Sequence, residues 1–417
     1  MLKQVEGSQA VAEAIALSRP EVVCAYPITP QTHIVEGVGA LVKSGALTNC
    51  EFINVESEFA ALSVAIGASA AGARAYTATA SQGLLFMAEA VYNAAGLGLP
   101  IVMTVGNRAI GAPINIWNDH TDSMAMRDAG WIQLHAETNQ EAADLHIQAF
   151  KLAEALSCPV MVCMDGFILT HAYERVDIPT QEQVDAFLPP FEPVQMVDPD
   201  NPYSIGAMVG PEAFTEVRYL AHYKQNEALT LIPEIAGEFE EQFGRASGGL
   251  LHPYRIEGAK TIVVALGSVN GTIKDVIDEM RDDGYEIGSI AISCFRPFPL
   301  TELRDLLEDA MHIVCIEKSL APGLGGVLAS NVRMSLRALY RQVYTVIGGL
   351  GGRPITRASL RDVFERAGEE ALDDVTFLDL NWKAVKDQLA RARETRHSGP
   401  IAENVLKALN PGLDEDR

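Results

Sequence analysis

Residues 73–107 read ARAYTATASQGLLFMAEAVYNAAGLGLPIVMTVGN. Two runs of β-forming residues, ARAYTATAS and LPIVMTVGN, bracket LLFMAEAVYNAAGL, whose apolar residues recur at spacings of three and four, the period of a helix. Strand, helix, strand is a crossover unit, and strands that are apolar along their whole length belong to a parallel sheet covered on both faces. The alternation extends both ways. EVVCAYP at 21–27, EFINVES at 51–57 and CPVMVCMDG at 158–166 read as further strands. QAVAEAIALSR at 9–19, SEFAALSVAIGASAAGA at 57–73 and NQEAADLHIQAFKLAEAL at 139–156 read as helices. The first 170 residues are therefore expected to be α/β, built on a parallel sheet.

Beyond that the pattern changes. Pro179, Pro189, Pro190, Pro193, Pro199, Pro202 and Pro211 fall between residues 177 and 215, with little periodicity, and predict a connector over the surface rather than a regular element. A largely polar stretch from about Glu216 to Phe243 reads as helical, with Pro233 expected to break it in two. A second α/β unit starts at AKTIVVALGSV and runs through IGSIAISCFRPFP and MHIVCIEKS to QVYTVIGGLGGR. After Val375, VKDQLARARE suggests a helix and LDEDR a loose acidic end. The expected domains are residues 1–245, including the 177–215 connector, then 246–370, then a terminal helix and tail at 371–417.

Composition narrows the function. The chain has 417 residues, more than one ordinary core, and 48% of them are hydrophobic. Acidic residues outnumber basic ones 55 to 32, and a net charge of −23 argues against nucleic acid or an anionic membrane as partner. Six cysteines lie scattered, mostly in apolar runs, with no C-x-x-C, so reduced thiols of a cytoplasmic protein are expected and no iron–sulfur cluster in this chain. No apolar run reaches the ~18 residues of a membrane span.

Several strand ends carry chemistry. In VVCAYPITPQT (22–32) a buried strand stops abruptly, and Ile28 and Thr29 sit in a turn stiffened by Pro27 and Pro30. Stiff turns at strand ends are where open α/β folds place ligands. In NVESEFAALS, Glu56 and Glu58 stand where a strand passes into a helix; either would suit the helix dipole, but the Ala- and Gly-rich helix behind them allows packing close enough to bury one carboxylate, which then needs a partner. Ser81-Gln82-Gly83 ends another strand and could receive a ligand on free N–H groups, or be a plain helix cap. VGNRAIGAPINIWNDHTDSM is a long irregular segment after an apolar strand; Arg108 is placed to grip a carboxylate bidentately, or to pair with Asp119 or Asp122. His120 between these aspartates lacks metal-ligand spacing, and no metal site is expected. APGLGGVLASN (321–331) and IGGLGGR (347–353) match neither dinucleotide nor P-loop signatures, although the first could seat an anion at the start of the following helix.

YPITPQT, NVESEFAA, TASQGLLFM, GNRAIGAPINIWNDHTD, RDAGWIQ and MDGFILTH, followed by LPPFEP, CFRPFP and GGLGGR, together resemble the alpha subunit of the pyruvate:ferredoxin oxidoreductase (2-oxoacid:acceptor oxidoreductase) family over residues 1 to about 360. The resemblance implies a thiamine-diphosphate enzyme whose parallel-sheet, pyrimidine-binding domain is followed by a smaller α/β domain like the transketolase C-terminal domain. It implies a beta subunit that supplies Mg2+ and diphosphate binding and an iron–sulfur cluster, since MDGF at 164–167 has no asparagine at the spacing of that motif. Further gamma- and delta-type subunits, coenzyme A, and ferredoxin or an NAD-linked flavin subunit as acceptor are implied in the same way.

Carried over by position, Thr29 and Arg108 would hold the 2-oxoacid, Glu58 would contact N1′ of the aminopyrimidine with Glu56 as rival, and Ile28 and Ser81 would adjoin the cofactor. Ile28, Ile114 and Ile116 would form an apolar wall that favours decarboxylation by removing water from the carboxylate. The implied reaction is oxidative decarboxylation to acyl-CoA and CO2, with pyruvate the first expected substrate and an arylglyoxylate such as phenylglyoxylate the alternative. A reading of another class is a non-catalytic scaffold subunit.

Overall fold

The computed structural model describes residues 2–202, 204–337, 339–394 and 401–409. Fifteen strands run in chain order among them: β1 (Leu2–Glu6), β2 (Val22–Ala25), β3 (Glu51–Asn54), β4 (Ala75–Thr79), β5 (Ile101–Asn107), β6 (Ile132–His135), β7 (Val160–Asp165), β8 (Tyr173–Asp177), β9 (Leu251–Tyr254), β10 (Thr261–Ala265), β11 (Ile287–Ile292), β12 (Cys294–Arg296), β13 (His312–Glu317), β14 (Gln342–Ile347) and β15 (Val375–Phe377). They form one sheet in the order β12-β6-β7-β5-β4-β2-β3, a second in the order β15-β14-β13-β10-β11-β9, and an antiparallel pair β1-β8. Only β12 in the first sheet and β9 in the second run antiparallel to their neighbours.

The apolar strands are buried as their composition requires: every residue of β4, β5 and β7 is out of solvent. On one face of the first sheet, Val11, Ile15, Ile34, Val38 and Phe150 come from the helices Gly7–Leu17, Thr32–Ser44 and Asn139–Leu156. On the other, Leu62, Leu84, Val91 and Trp131 pack from the Glu58–Ala70 and Ala88–Leu97 side. The second sheet is likewise enclosed, by Leu303 and Val332 on one face and Ile273, Val276, Leu360 and Phe364 on the other. No described helix is long and apolar enough to cross a membrane.

Several elements depart from the sequence reading. The helix Phe214–Phe243 runs unbroken through Pro233. One missing N–H on a half-exposed turn is outweighed by the packing of Ala228, Ile232, Ile235 and Phe239 into the core. The proline-rich connector holds a short helix, Gln181–Phe187, started by a Thr180–Gln183 capping box. CFRPFP does not stay with the second unit: β12 crosses to the edge of the first sheet beside β6, and the His135 N–H donates to the Ser293 carbonyl at 2.7 Å. β6 escaped notice because Gln133 and His135 interrupt its apolar run, yet both are buried, and the Gln133 amide donates to the Ser123 carbonyl at 2.8 Å. At the C-terminal end β15 extends the second sheet, the helices Trp382–Glu394 and Ile401–Leu409 follow, and LDEDR lies outside the described residues.

Candidate active site

β2, β3, β4, β5 and β7 run parallel, so the segments leaving their carboxyl ends emerge on one edge of the sheet. Those segments are the Thr29 turn, the start of the Glu58 helix, Ser81-Gln82-Gly83, the Arg108 loop and Asp165-Gly166-Phe167. Thr29 is exposed and Ile28 half-buried, while Pro30 is buried against the ends of β5 and β7. A Cβ at Gly166 would lie 2.6 Å from the Pro30 ring, so the prolyl turn can sit this low only over a glycine.

Arg108 and Thr29 meet. The guanidinium donates through Nη1 to the Thr29 carbonyl at 2.9 Å and through Nε to the Asn115 carbonyl at 3.1 Å. Neither aspartate pairs with it. Burial pulls the Arg108 pKa below its ordinary value, opposed by the Asp122 charge. Asp122 is instead fully buried and accepts four hydrogen bonds: from the Ser81 and Arg108 N–H groups at 2.9 Å each, and from the Asn107 amide and the Ser123 N–H at 2.8 Å each. Burial outweighs these donors and pushes its pKa up to about 6.

The two glutamates separate cleanly. Glu56 is exposed; Glu58 is 8% exposed in the first turn of its helix, which Ser57 caps by accepting from the Ala60 N–H at 3.2 Å. The Glu58 carboxylate reaches across to the turn after β4, where a Cβ on Gly83 would fall 2.8 Å from both its Cγ and its Oε1. Among the described residues no hydrogen bond or ion pair engages that carboxylate. Ser81 has φ of +49° and is buried, with its hydroxyl donating to the Ala109 carbonyl at 2.5 Å and bonded to Gln82. Its hydrogen-bonding groups are therefore committed within the chain.

The apolar wall is open. Ile114 is 78% exposed and Ile116 40%, on a loop whose far end is held by the second unit. The Asn115 amide donates to the Gly351 carbonyl at 3.2 Å, the Gly351 N–H donates to Asp119 at 3.1 Å, and Trp117 packs against Phe167 with the rings tilted by 44° and 4.6 Å between centroids. His120 turns away from Asp119 and Asp122 and pairs with Asp165 at 2.7 Å, beside Lys318 at 2.8 Å from the same carboxylate. Burial by itself would raise the Asp165 pKa; the Lys318 and His120 charges hold it well below the carboxylate range. Asp165 and Lys318 were not singled out in the sequence; the signal was an ionisable residue ending a buried apolar strand.

The expected anion seat at 321–331 is filled from within. The Glu317 carboxylate accepts from the Leu328 and Ala329 N–H groups at 2.8 Å each, at the start of the helix Val327–Leu336. A buried chain carboxylate thus takes the place an external anion would need.

Residues 13–236 match the thiamine-diphosphate-binding region of pyruvate flavodoxin/ferredoxin oxidoreductases, and residues 259–360 match the pyruvate:ferredoxin oxidoreductase core domain II. The chain belongs to this oxidoreductase family. Pyruvate synthase subunit PorA of Methanosarcina barkeri is 46% identical over 387 residues, 90% of this chain and 96% of that one. Ketoisovalerate oxidoreductase subunit VorA of Pyrococcus abyssi is 40% identical over 87% of this chain and 92% of its own.

Two solved structures share the family's fold. The first, a 2-oxoglutarate:ferredoxin oxidoreductase from Magnetococcus marinus, superposes with a TM-score of 0.70 at 18% identity, over 88% of this chain and 65% of that longer one. A split-gene transketolase superposes with a TM-score of 0.53 at 14% identity, over 88% of this chain and 98% of its own. The site fits the pyrimidine end of thiamine diphosphate on one observation: Glu58 is a nearly buried residue whose carboxylate has no partner among the described residues and lies against the turn after β4.

Proposed function

We propose that this chain is the alpha-type subunit of a CoA-acylating 2-oxoacid oxidoreductase acting on pyruvate, and that its site is completed by a partner subunit. The unpartnered Glu58 carboxylate carries the reading, because the residue is nearly buried, its carboxylate finds no donor among the described residues, and an aminopyrimidine nitrogen supplies one. Residues 1–245 form the pyrimidine-contacting unit, and the transketolase-like unit runs from 246 through β15, which pairs with β14, before the C-terminal helices. Exposed Phe59 and Phe86, whose rings lie 6.4 Å apart next to Glu58, offer an apolar face for the beta subunit that brings Mg2+, diphosphate binding and an iron–sulfur cluster.

Thiamine diphosphate, when bound, supplies the carbon nucleophile and electron sink for decarboxylation. The chain's residues do the rest. Glu58 holds the proton at N1′ that sets the tautomer of the 4′-amino group. Arg108, already fixed by the carbonyls of Thr29 and Asn115, presents its remaining N–H donors to the substrate carboxylate, and the Thr29 hydroxyl donates beside it. Ile28, Ile114 and Ile116 exclude water once a partner covers the exposed loop. Coenzyme A would take the acyl group, and iron–sulfur clusters of partner subunits, with ferredoxin or an NAD-linked flavin subunit beyond them, would take the electrons.

The test is anaerobic, CoA-dependent reduction of a viologen dye by the natively purified complex, with pyruvate, phenylglyoxylate, 2-oxoisovalerate and 2-oxoglutarate side by side. Pyruvate should turn over fastest. Faster turnover of another acid would move the assignment to that substrate. No reduction by a complex shown to contain thiamine diphosphate and iron would refute the catalytic reading in favour of a scaffold.

A further inference from the structure

Asp122 has no role in the chemistry above, yet its burial is hard to explain as packing. A carboxylate taken wholly out of water is costly unless its lone pairs are filled, and here three of the four donors come from the strand ends that carry the site. Oδ2 joins the N–H of Ser81, two residues past β4, to the first N–H after β5, on Arg108. Oδ1 takes Asn107, the last residue of β5, and Ser123 of its own helical turn.

A second tie runs parallel to the first, from the Ser81 hydroxyl to the Ala109 carbonyl at 2.5 Å. Ser81 is held at φ +49°, a region a residue with a Cβ occupies only when its surroundings require it. Two residues on, Gly83 forms the surface on which the Glu58 carboxylate rests.

We propose that Asp122 is a positioning residue that fixes the Arg108 guanidinium and the Ser81–Gly83 backing of Glu58 in one frame, setting where the substrate carboxylate lies relative to the cofactor. This rests on the roles given above to Arg108 and Glu58. A misplacement of about 1 Å between reacting groups lowers rates by as much as about a hundredfold, so a rigid tie across β4 and β5 has catalytic weight. Asn in place of Asp122 turns one acceptor oxygen into a donor facing two donors, and the tie fails on one side.

The experiment compares Asp122→Asn, Arg108→Ala and the double variant in the assembled complex, by KM and kcat for pyruvate in dye reduction. Loss of folded enzyme lowers kcat and leaves KM in place; a displaced Arg108 raises KM. Asp122→Asn is expected to raise KM at least tenfold in the parent and to add less than twofold in the Arg108→Ala background. An unchanged KM in Asp122→Asn, with a raised KM in Arg108→Ala, overturns the role of Asp122 alone. If Arg108→Ala leaves KM unchanged, the assignment of Arg108 falls and this inference with it. Should Asp122→Asn not assemble, Asn107→Ala removes one donor and leaves the carboxylate in place. It should raise KM severalfold, and an unchanged KM overturns the proposal.

Discussion

Gly83→Ala is the sharpest perturbation of the site, because one methyl group presses on the Glu58 side chain and on Thr79 behind it. The added Cβ would lie 2.6 Å from the Thr79 hydroxyl and 2.8 Å from Cγ and Oε1 of Glu58, well inside a van der Waals contact of about 3.5 Å. Two effects on stability oppose each other. Alanine is favoured over glycine in a helix by about 1 kcal/mol, and Gly83 lies in the helix Ser81–Phe86. Overpacking costs about 1–3 kcal/mol, and here falls toward the upper end, because the nearest atom belongs to the short, fully buried Thr79 side chain and the Glu58 contact includes Cγ as well as the carboxylate tip. The helix gain offsets only part of this, so stability should fall by about 1–2 kcal/mol.

Activity has no such compensation. Relief of the clash moves the carboxylate off its place, and a displacement on the order of 1 Å corresponds to about a hundredfold in rate, or about 2.7 kcal/mol in barrier. The assay is CoA-dependent viologen reduction by the assembled complex at saturating thiamine diphosphate, alongside thermal unfolding and cofactor content. Parent-like turnover with an intact melting transition would refute the placement of Glu58 against Gly83 as functional.

Glu58→Gln should lower turnover by about 10²- to 10⁴-fold, whereas Glu56→Gln, altering an exposed side chain, should leave kcat within about twofold. Arg74→Ala removes a guanidinium that makes hydrogen bonds to Glu154 at 2.5 and 2.9 Å and to the Ser18 and Pro189 carbonyls; the stranded Glu154 charge should reduce stability by about 3 kcal/mol, read from urea unfolding. Burial alone would lower the His252 pKa, but its hydrogen bond to Glu137, the Glu141 charge and its bond to the Gly248 carbonyl push it up to about 9. A raised pKa gives stability that is complete below 6.5 and fades as pH rises through about 9. Unfolding measured at pH 6 and at pH 9.5 should thus show a decline on the order of 2 kcal/mol that His252→Gln lacks; equal slopes for both proteins would contradict it.

Much of the molecule was legible in its sequence. Runs such as IVMTVGN and VMVCMD are apolar at every position because both sheet faces are covered, and that periodicity needs no knowledge of partners in space. The same holds for the stiff YPITP turn and for a carboxylate at the head of a helix of small residues. Family membership, too, was contained in the order of the motifs.

What the sequence left open was decided by contacts between residues far apart in the chain. Glu56 and Glu58 differ by two positions, and the approach of Gly83, in the short helix after β4, covers Glu58 while Glu56 stays exposed. Arg108 had two nearby aspartates to choose from and took two carbonyls, while His120 passed over both to reach Asp165, beside Lys318. CFRPFP left its own sheet for the edge of another. Local pattern reports which side an element buries, because burial follows from its own periodicity. Which donor meets which acceptor depends on where parallel strands bring their ends together, and that is a property of the folded chain alone.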